Sequence, residues 1–324
     1  GLALAGCAPR LQVPGPHASA PAPPQMSDSA FVAADGTALP LRRWLPADNP
    51  HPKPPRAVVG ALHGFNDYSN AFDGIAGFLA DNGVAVYAYD QRGFGAAPQT
   101  GLWPGTGRLT GDARDFFATL RARHPGVPVF AMGESMGGAV LLAAETEAPL
   151  DVAGFVLVAP AVWGRATMPF YQTGALWLTA HTLPWLTVTG RGLNIRPSDN
   201  IEMLRALSRD PLVIRQTRVD AVWGLVNLMD TALDAAPRFA APALFLYGAR
   251  DELVPAEPTL RLYDGLPEDG AVTIAIYGEG YHMLLRDLQA ETVWRDVLAW
   301  IGDPTAPLPS GAEAVDPKAA LAKD

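Results

Sequence analysis

Between residues 57 and 277 the chain repeats one pattern: a short, continuous apolar run, then a stretch with apolar residues every third or fourth position. The runs at 57–62, 84–89, 127–132, 155–158, 244–247 and 272–277 show no polar alternation. They therefore predict strands buried on both faces, as in a parallel sheet. Helical spacing covers 72–82, 109–124, 136–147 and about 288–301; the second of these carries Phe116, Phe117 and Leu120 on one face. Ahead of them, 31–34 and 39–45 read as a hairpin across Asp35-Gly36. Alternation of this kind predicts the α/β class: a mostly parallel central sheet with helices on both faces, its chemistry at the carboxyl ends of the strands. No internal repeat is present.

The alternation breaks once. From 159 to 243 no buried-strand signal occurs; helical patterns at 176–183, 201–207 and 219–233 stand among Trp163, Phe170, Tyr171, Trp177, Trp185 and Trp223. We read 161–240 as a helical lid inserted into the sheet domain, whose two parts are 30–160 and 241–302. The Pro- and Ala-rich segment 1–29 reads as a tether, and 303–324 as a disordered tail.

Composition narrows the function classes. The 324 residues are 49 % hydrophobic, enough for a sizeable core. With 24 basic and 33 acidic residues the net charge is −9, which argues against a nucleic-acid partner. The one cysteine, Cys7, allows neither an intrachain disulfide nor a cysteine-rich zinc site. No apolar stretch is long enough to span a bilayer. The opening Gly1-Leu2-Ala3-Leu4-Ala5-Gly6-Cys7 nevertheless resembles a bacterial lipobox. On that reading the numbering begins inside a signal peptide, and Cys7 is lipidated and anchors the chain to a membrane of the bacterial cell envelope. The plainer reading is a small-residue terminus with a chance cysteine.

Gly133-Glu134-Ser135-Met136-Gly137 stands between a predicted strand and a predicted helix, the context of a nucleophile elbow. A serine needs a base and an orienting acid, which in this arrangement follow it along the chain. Two histidines remain after Ser135: His181, inside the apolar lid, reads as structural, and His282, just after the last strand, reads as the base. Asp251 reads as the acid, with Glu252 its neighbouring competitor. An oxyanion hole needs two convergent backbone donors. Met136 N–H is one; Phe65 N–H, with Asn66 as its neighbour, is the other candidate, and His63 reads as holding that loop. No histidine pair has metal-ligand spacing, and Gly93-Phe94-Gly95 lacks the third glycine of a dinucleotide site, so no metal or cofactor is expected.

These segments, together with Asp90-Gln91-Arg92-Gly93-Phe94-Gly95, His124-Pro125-Gly126 and Gly248-Ala249-Arg250-Asp251-Glu252-Leu253-Val254-Pro255, resemble the α/β-hydrolase superfamily, in its monoacylglycerol lipase and lysophospholipase-like branch. The resemblance covers about 30–302. It implies Ser135 as nucleophile, Asp251 as acid, His282 as base, and Phe65 and Met136 as oxyanion donors. It also implies hydrolysis of single-chain lipid esters through an acyl-enzyme. Glu134 departs from the branch, which often has histidine there, and the lid matches no pattern. A serine peptidase or iminopeptidase, an acyltransferase, and a non-catalytic binding lipoprotein stand as alternatives.

Overall fold

In the computed structural model, which describes residues 8–47, 54–190, 195–268 and 270–322, the apolar runs pair into one sheet. The chain forms β1 (Gln25–Met26), β2 (Ala30–Val32), β3 (Ala38–Trp44), β4 (Ala57–Leu62), α1 (Asp73–Asp81), β5 (Val84–Tyr89), α2 (Thr106–Arg123), β6 (Val129–Glu134), α3 (Met136–Glu147) and β7 (Gly154–Val158). The interrupting segment supplies α4 (Phe170–Thr182), β8 (Thr187–Val188), α5 (Ile201–Leu207), β9 (Thr217–Arg218) and α6 (Val219–Ala235). The core resumes with β10 (Ala243–Gly248), α7 (Ala256–Gly265), β11 (Val272–Tyr277) and α8 (Ala290–Gly302), and α9 (Pro317–Leu321) closes the described chain.

The main sheet runs β1-β2-β3-β5-β4-β6-β7-β10-β11. The six strands from β5 to β11 in that order are parallel. The predicted hairpin joins antiparallel, Leu41 opposite Tyr89. Both faces are covered. One apolar layer lies beneath α2, α3 and α6 and includes Phe116, Phe117, Leu141 and Leu228; the other, beneath α1 and α8, includes Ile75, Leu79, Val297 and Trp300. That double cover is why β4, β5, β6, β7 and β10 are buried at every position and read as unbroken apolar runs. Among the described residues no helix is long and apolar enough to cross a membrane.

Within 161–240, α6 packs on α3 and buries Val226, Leu228 and Ala232, so it belongs to the core layer. By contrast α4 buries only Ala180 and leaves Phe170, Trp177 and Leu178 at 88 %, 53 % and 56 % exposure. The two-residue strands β8 and β9 pair as a small ribbon too short to register in the sequence pattern.

Two expectations are corrected. The tether does not run free: among residues 8–29, Arg10 N donates to Asp220 Oδ2 at 3.2 Å, Gln12 N to Trp103 O at 3.0 Å and His17 N to Asp35 O at 2.8 Å. Nor is 303–322 disordered. Ile276 N donates to Ala312 O at 2.9 Å and Ala314 N to Ile274 O at 2.8 Å, along the outer edge of β11. Leu308 is buried, and Ser310 N donates to the buried Asp296 at 3.0 Å. In both segments Pro and Ala dilute the apolar signal, while the remaining backbone groups satisfy partners on the body; an open sheet edge offers a row of them.

Candidate active site

Because β6 ends at Glu134 and α3 begins at Met136, Ser135 alone makes the turn, with φ +52° and ψ −114°. A non-glycine residue there is strained. Its backbone is held on both sides: Ser135 N donates to Val158 O at 2.9 Å, and Ser135 O accepts from Ala161 N at 2.9 Å and Ala139 N at 3.1 Å. The flanking glycines are obligatory. A Cβ on Gly137 would lie 1.9 Å from Leu62 O, and one on Gly133 would lie 2.6 Å from the Gly137 backbone.

The loop after β11 carries His282, whose Nδ1 lies 2.7 Å from Asp251 Oδ2 on the loop after β10. The other Asp251 oxygen accepts from Leu253 N at 2.8 Å and Val254 N at 2.9 Å, which fixes the carboxylate. The competitor Glu252 is occupied elsewhere, accepting from Arg196 N at 2.6 Å. With Nδ1 facing a carboxylate, the proton is assigned there and Nε2 is the basic nitrogen. Burial pushes the imidazole pKa down, but the charges of Asp251 and then Glu134 push it up further, so it lies above the ordinary histidine value.

Ser135 and His282 line one cavity of about 290 Å³, with Phe65, Trp163, Leu225 and Met229 forming apolar wall. Met136 opens α3, and the loop after β4 carries Phe65. That loop reaches the serine closely: a Cβ on Gly64 would lie 3.4 Å from Ser135 Cβ and 3.9 Å from its Oγ. The Phe65 ring packs on Phe94 and Trp103, with centroids 5.5 and 6.3 Å away. Asn66, at φ +66°, donates from Nδ2 to Thr217 Oγ1 at 2.7 Å. The structure thus brings Ser135, His282, Asp251, Phe65 and Met136 to one end of the sheet, at the carboxyl ends of β4, β6, β10 and β11.

Two further histidines, His63 and His181, are committed elsewhere. His63 is fully buried; Gln91 N donates to its Nε2 at 2.9 Å, and its Nδ1 donates to Gly64 O at 2.8 Å, so both nitrogens hold the loop. His181 stacks on Trp177 and donates from Nδ1 to Trp177 O at 2.7 Å. Cys7 lies outside the described residues.

Sequence reasoning missed Asp67 and Arg286, and saw Glu134 only as a departure from a pattern. All three line the cavity. Arg286 Nη1 lies 2.8 Å from Asp67 Oδ2, and its Nη2 donates to Glu134 Oε2 at 3.2 Å. Burial disfavours the charge on Arg286, yet the two carboxylates outweigh it and keep the guanidinium protonated.

The family model described as "Serine aminopeptidase, S33" matches residues 53–289. A human monoglyceride lipase is 27 % identical over 287 residues, covering 85 % of this chain and 90 % of that protein. A monoacylglycerol lipase of Mycolicibacterium smegmatis is 25 % identical over 292 residues, covering 85 % of this chain and 96 % of that one. Among solved structures, a soluble variant of the Saccharomyces cerevisiae monoglyceride lipase, in complex with a substrate analogue, aligns with a TM-score of 0.71 at 18 % identity. It covers 91 % of this chain and 100 % of that one, which shows a shared fold.

Proposed function

From the premise that the chain belongs to the serine aminopeptidase S33 family of α/β-hydrolases, we propose that it hydrolyses single-chain lipid esters through an acyl-enzyme on Ser135. The observation that carries this is the strained Ser135 sharing a cavity with a His282 whose Nδ1 is fixed by Asp251. Ser135 Oγ attacks the ester carbonyl while His282 Nε2 takes its proton. Asp251 holds the tautomer and stabilises the imidazolium. The Phe65 and Met136 N–H groups receive the oxyanion. His282 then returns the proton to the leaving alcohol, and water attacks the acyl-enzyme with the same imidazole as base.

Size and lining support the substrate class. About 290 Å³ is at the low end for a small-molecule site, room for one acyl chain rather than several. Leu225, Met229, Leu253, Val254 and Met283 make the wall largely apolar. The exposed apolar face of α4 suits a lipid aggregate as the source of substrate. Relatives named monoglyceride lipase point the same way.

The family's description favours a second reading, peptide-bond cleavage next to a free amine. Such a substrate needs a carboxylate free to pair with its ammonium. Both carboxylates on the cavity wall, Asp67 and Glu134, are already engaged by Arg286, which cancels one of their two charges, so the ester reading stands first. The test is fluorophosphonate labelling with p-nitrophenyl esters and aminoacyl anilides in parallel. We expect labelling that Ser135→Ala abolishes, and turnover rising from acetate to decanoate. Faster turnover of the anilides, or a strong preference for acetate, would overturn it. Product analysis with added glycerol separates hydrolysis from transfer to an alcohol.

Lipidation of Cys7 and residence in the bacterial envelope remain part of this proposal. Mass spectrometry of the protein expressed with its native leader, compared with Cys7→Ser, decides this; an unmodified Cys7 in membrane and soluble fractions alike overturns it.

A further inference from the structure

The candidate reacting groups sit on separate loops, and one guanidinium joins three of those loops. Arg286 lies on the loop of His282, four positions after it. Asp67, its first partner, lies two positions after Phe65; Glu134, its second, immediately precedes Ser135. The set is withdrawn from water: Asp67 and Glu134 are 6 % and 2 % exposed. The outer side of the His282 loop is fixed as well. Met283 N donates to Pro197 O at 2.9 Å, and Asp287 accepts from Tyr281 N at 2.8 Å and from Ser198 Oγ at 2.6 Å. Arg286 therefore supplies the inward restraint on a loop already tied outward.

Stability is a poor explanation for this network. Burying ionised groups costs several kcal/mol each, and replacing a buried ion pair with neutral groups of similar shape is often neutral or stabilising. This one is also incompletely satisfied: Asp67 Oδ2, Glu134 Oε1 and Arg286 Nε have no well-formed hydrogen bond among the described residues, so Asp67 meets Arg286 as an ion pair at 2.8 Å. The partners are placed where register between loops matters.

We propose that Arg286 is a positioning residue: by holding Asp67 and Glu134 it sets the loop of His282 against the elbow of Ser135 and the donor loop of Phe65. It touches no reacting atom. The inference rests on the serine-hydrolase reading given above. Displacing a reacting group by about 1 Å costs on the order of 10²-fold in rate, so the effect falls on kcat.

The experiment compares the full chain with Arg286→Met, Arg286→Lys and the charge-neutral triple Asp67→Asn/Glu134→Gln/Arg286→Met. Each is measured for kcat and KM on p-nitrophenyl decanoate, fluorophosphonate labelling rate, and thermal midpoint. We expect Arg286→Met to lower kcat and the labelling rate by about 10²-fold, with KM within about threefold. Arg286→Lys recovers part of the loss, because an ammonium still reaches one carboxylate. The triple variant leaves no buried charge unpaired, so it melts near wild type yet shows the same loss in kcat. The inference is overturned if the folded triple keeps kcat within about threefold of wild type. It is equally overturned if every loss follows the thermal midpoint, or if the triple fails to fold, since the network is then structural. A wild-type chain that neither labels at Ser135 nor turns over the ester removes the hydrolase reading itself, a distinguishable result.

Discussion

Asp251 meets His282 Nδ1 with one oxygen, at 2.7 Å, while two amides of its own loop hold the other. The imidazole must be neutral to accept the serine proton, so activity falls as the pH drops through its pKa. That pKa is raised, against burial, by Asp251 and then Glu134. The acid limb of kcat/KM is therefore expected above the ordinary histidine value of about 6.5. Asp251→Asn removes the main raising charge and favours the wrong tautomer. It should move the limb to lower pH and cut kcat by about 10³–10⁴-fold. A limb that does not move under Asp251→Asn would count against this pairing.

Opposite shifts are expected from the two groups flanking the base. Glu134 raises the His282 pKa and Arg286 lowers it. Glu134→Gln should move the acid limb down and Arg286→Met should move it up, as read from pH profiles of kcat/KM. Shifts of the same sign would show that the charges do not face the imidazole.

The φ of +52° at Ser135 makes the nucleophile a point of strain. Ser135→Gly relieves it, and chemical denaturation should show a gain of about 1–2 kcal/mol. Ser135→Ala keeps the Cβ and the strain, so it should stay within about 0.5 kcal/mol of wild type. Both variants should lose nearly all esterase activity.

Chain-length preference should follow the cavity. Each added methylene contributes roughly 0.8 kcal/mol, about fourfold in kcat/KM, until the space is filled. Met229 lies on its wall, so Met229→Trp should penalise decanoate more than butyrate by roughly tenfold. Equal penalties would place the acyl chain elsewhere.

At the far edge of the sheet, the fully buried Asp296 accepts from Tyr277 Oη at 2.7 Å and Ser310 N at 3.0 Å. Asp296→Ala leaves these donors unpaired and should cost about 2–4 kcal/mol, with activity per folded molecule unchanged. Ending the chain at Gly302 should lower the melting temperature and promote association through the bared edge of β11.

Much of this architecture is local information. The fully buried strands announce themselves as unbroken apolar runs, and the elbow as glycines at fixed offsets around Ser135. What was hidden depends on distant pairing. Arg286 and Glu134 are 152 residues apart and share no periodicity. Asp251 and Glu252 are chemically alike neighbours, and only the direction of each carboxylate separates them. The two ends misread as free because Pro and Ala signal flexibility, whereas their backbone amides and carbonyls are what bind. Strands of two residues, such as β1, β8 and β9, are shorter than any pattern that could reveal them.

The N-terminal strap lies only two contacts from the oxyanion loop. Leu11 bridges Trp103, Gln12 N donates to Trp103 O at 3.0 Å, and the Trp103 ring packs at a tilt against Phe65, with centroids 6.3 Å apart. An affinity handle fused just ahead of this strap, or a protease nick within it, would therefore be felt as altered turnover. Recombinant versions intended for kinetics are best purified through the opposite terminus.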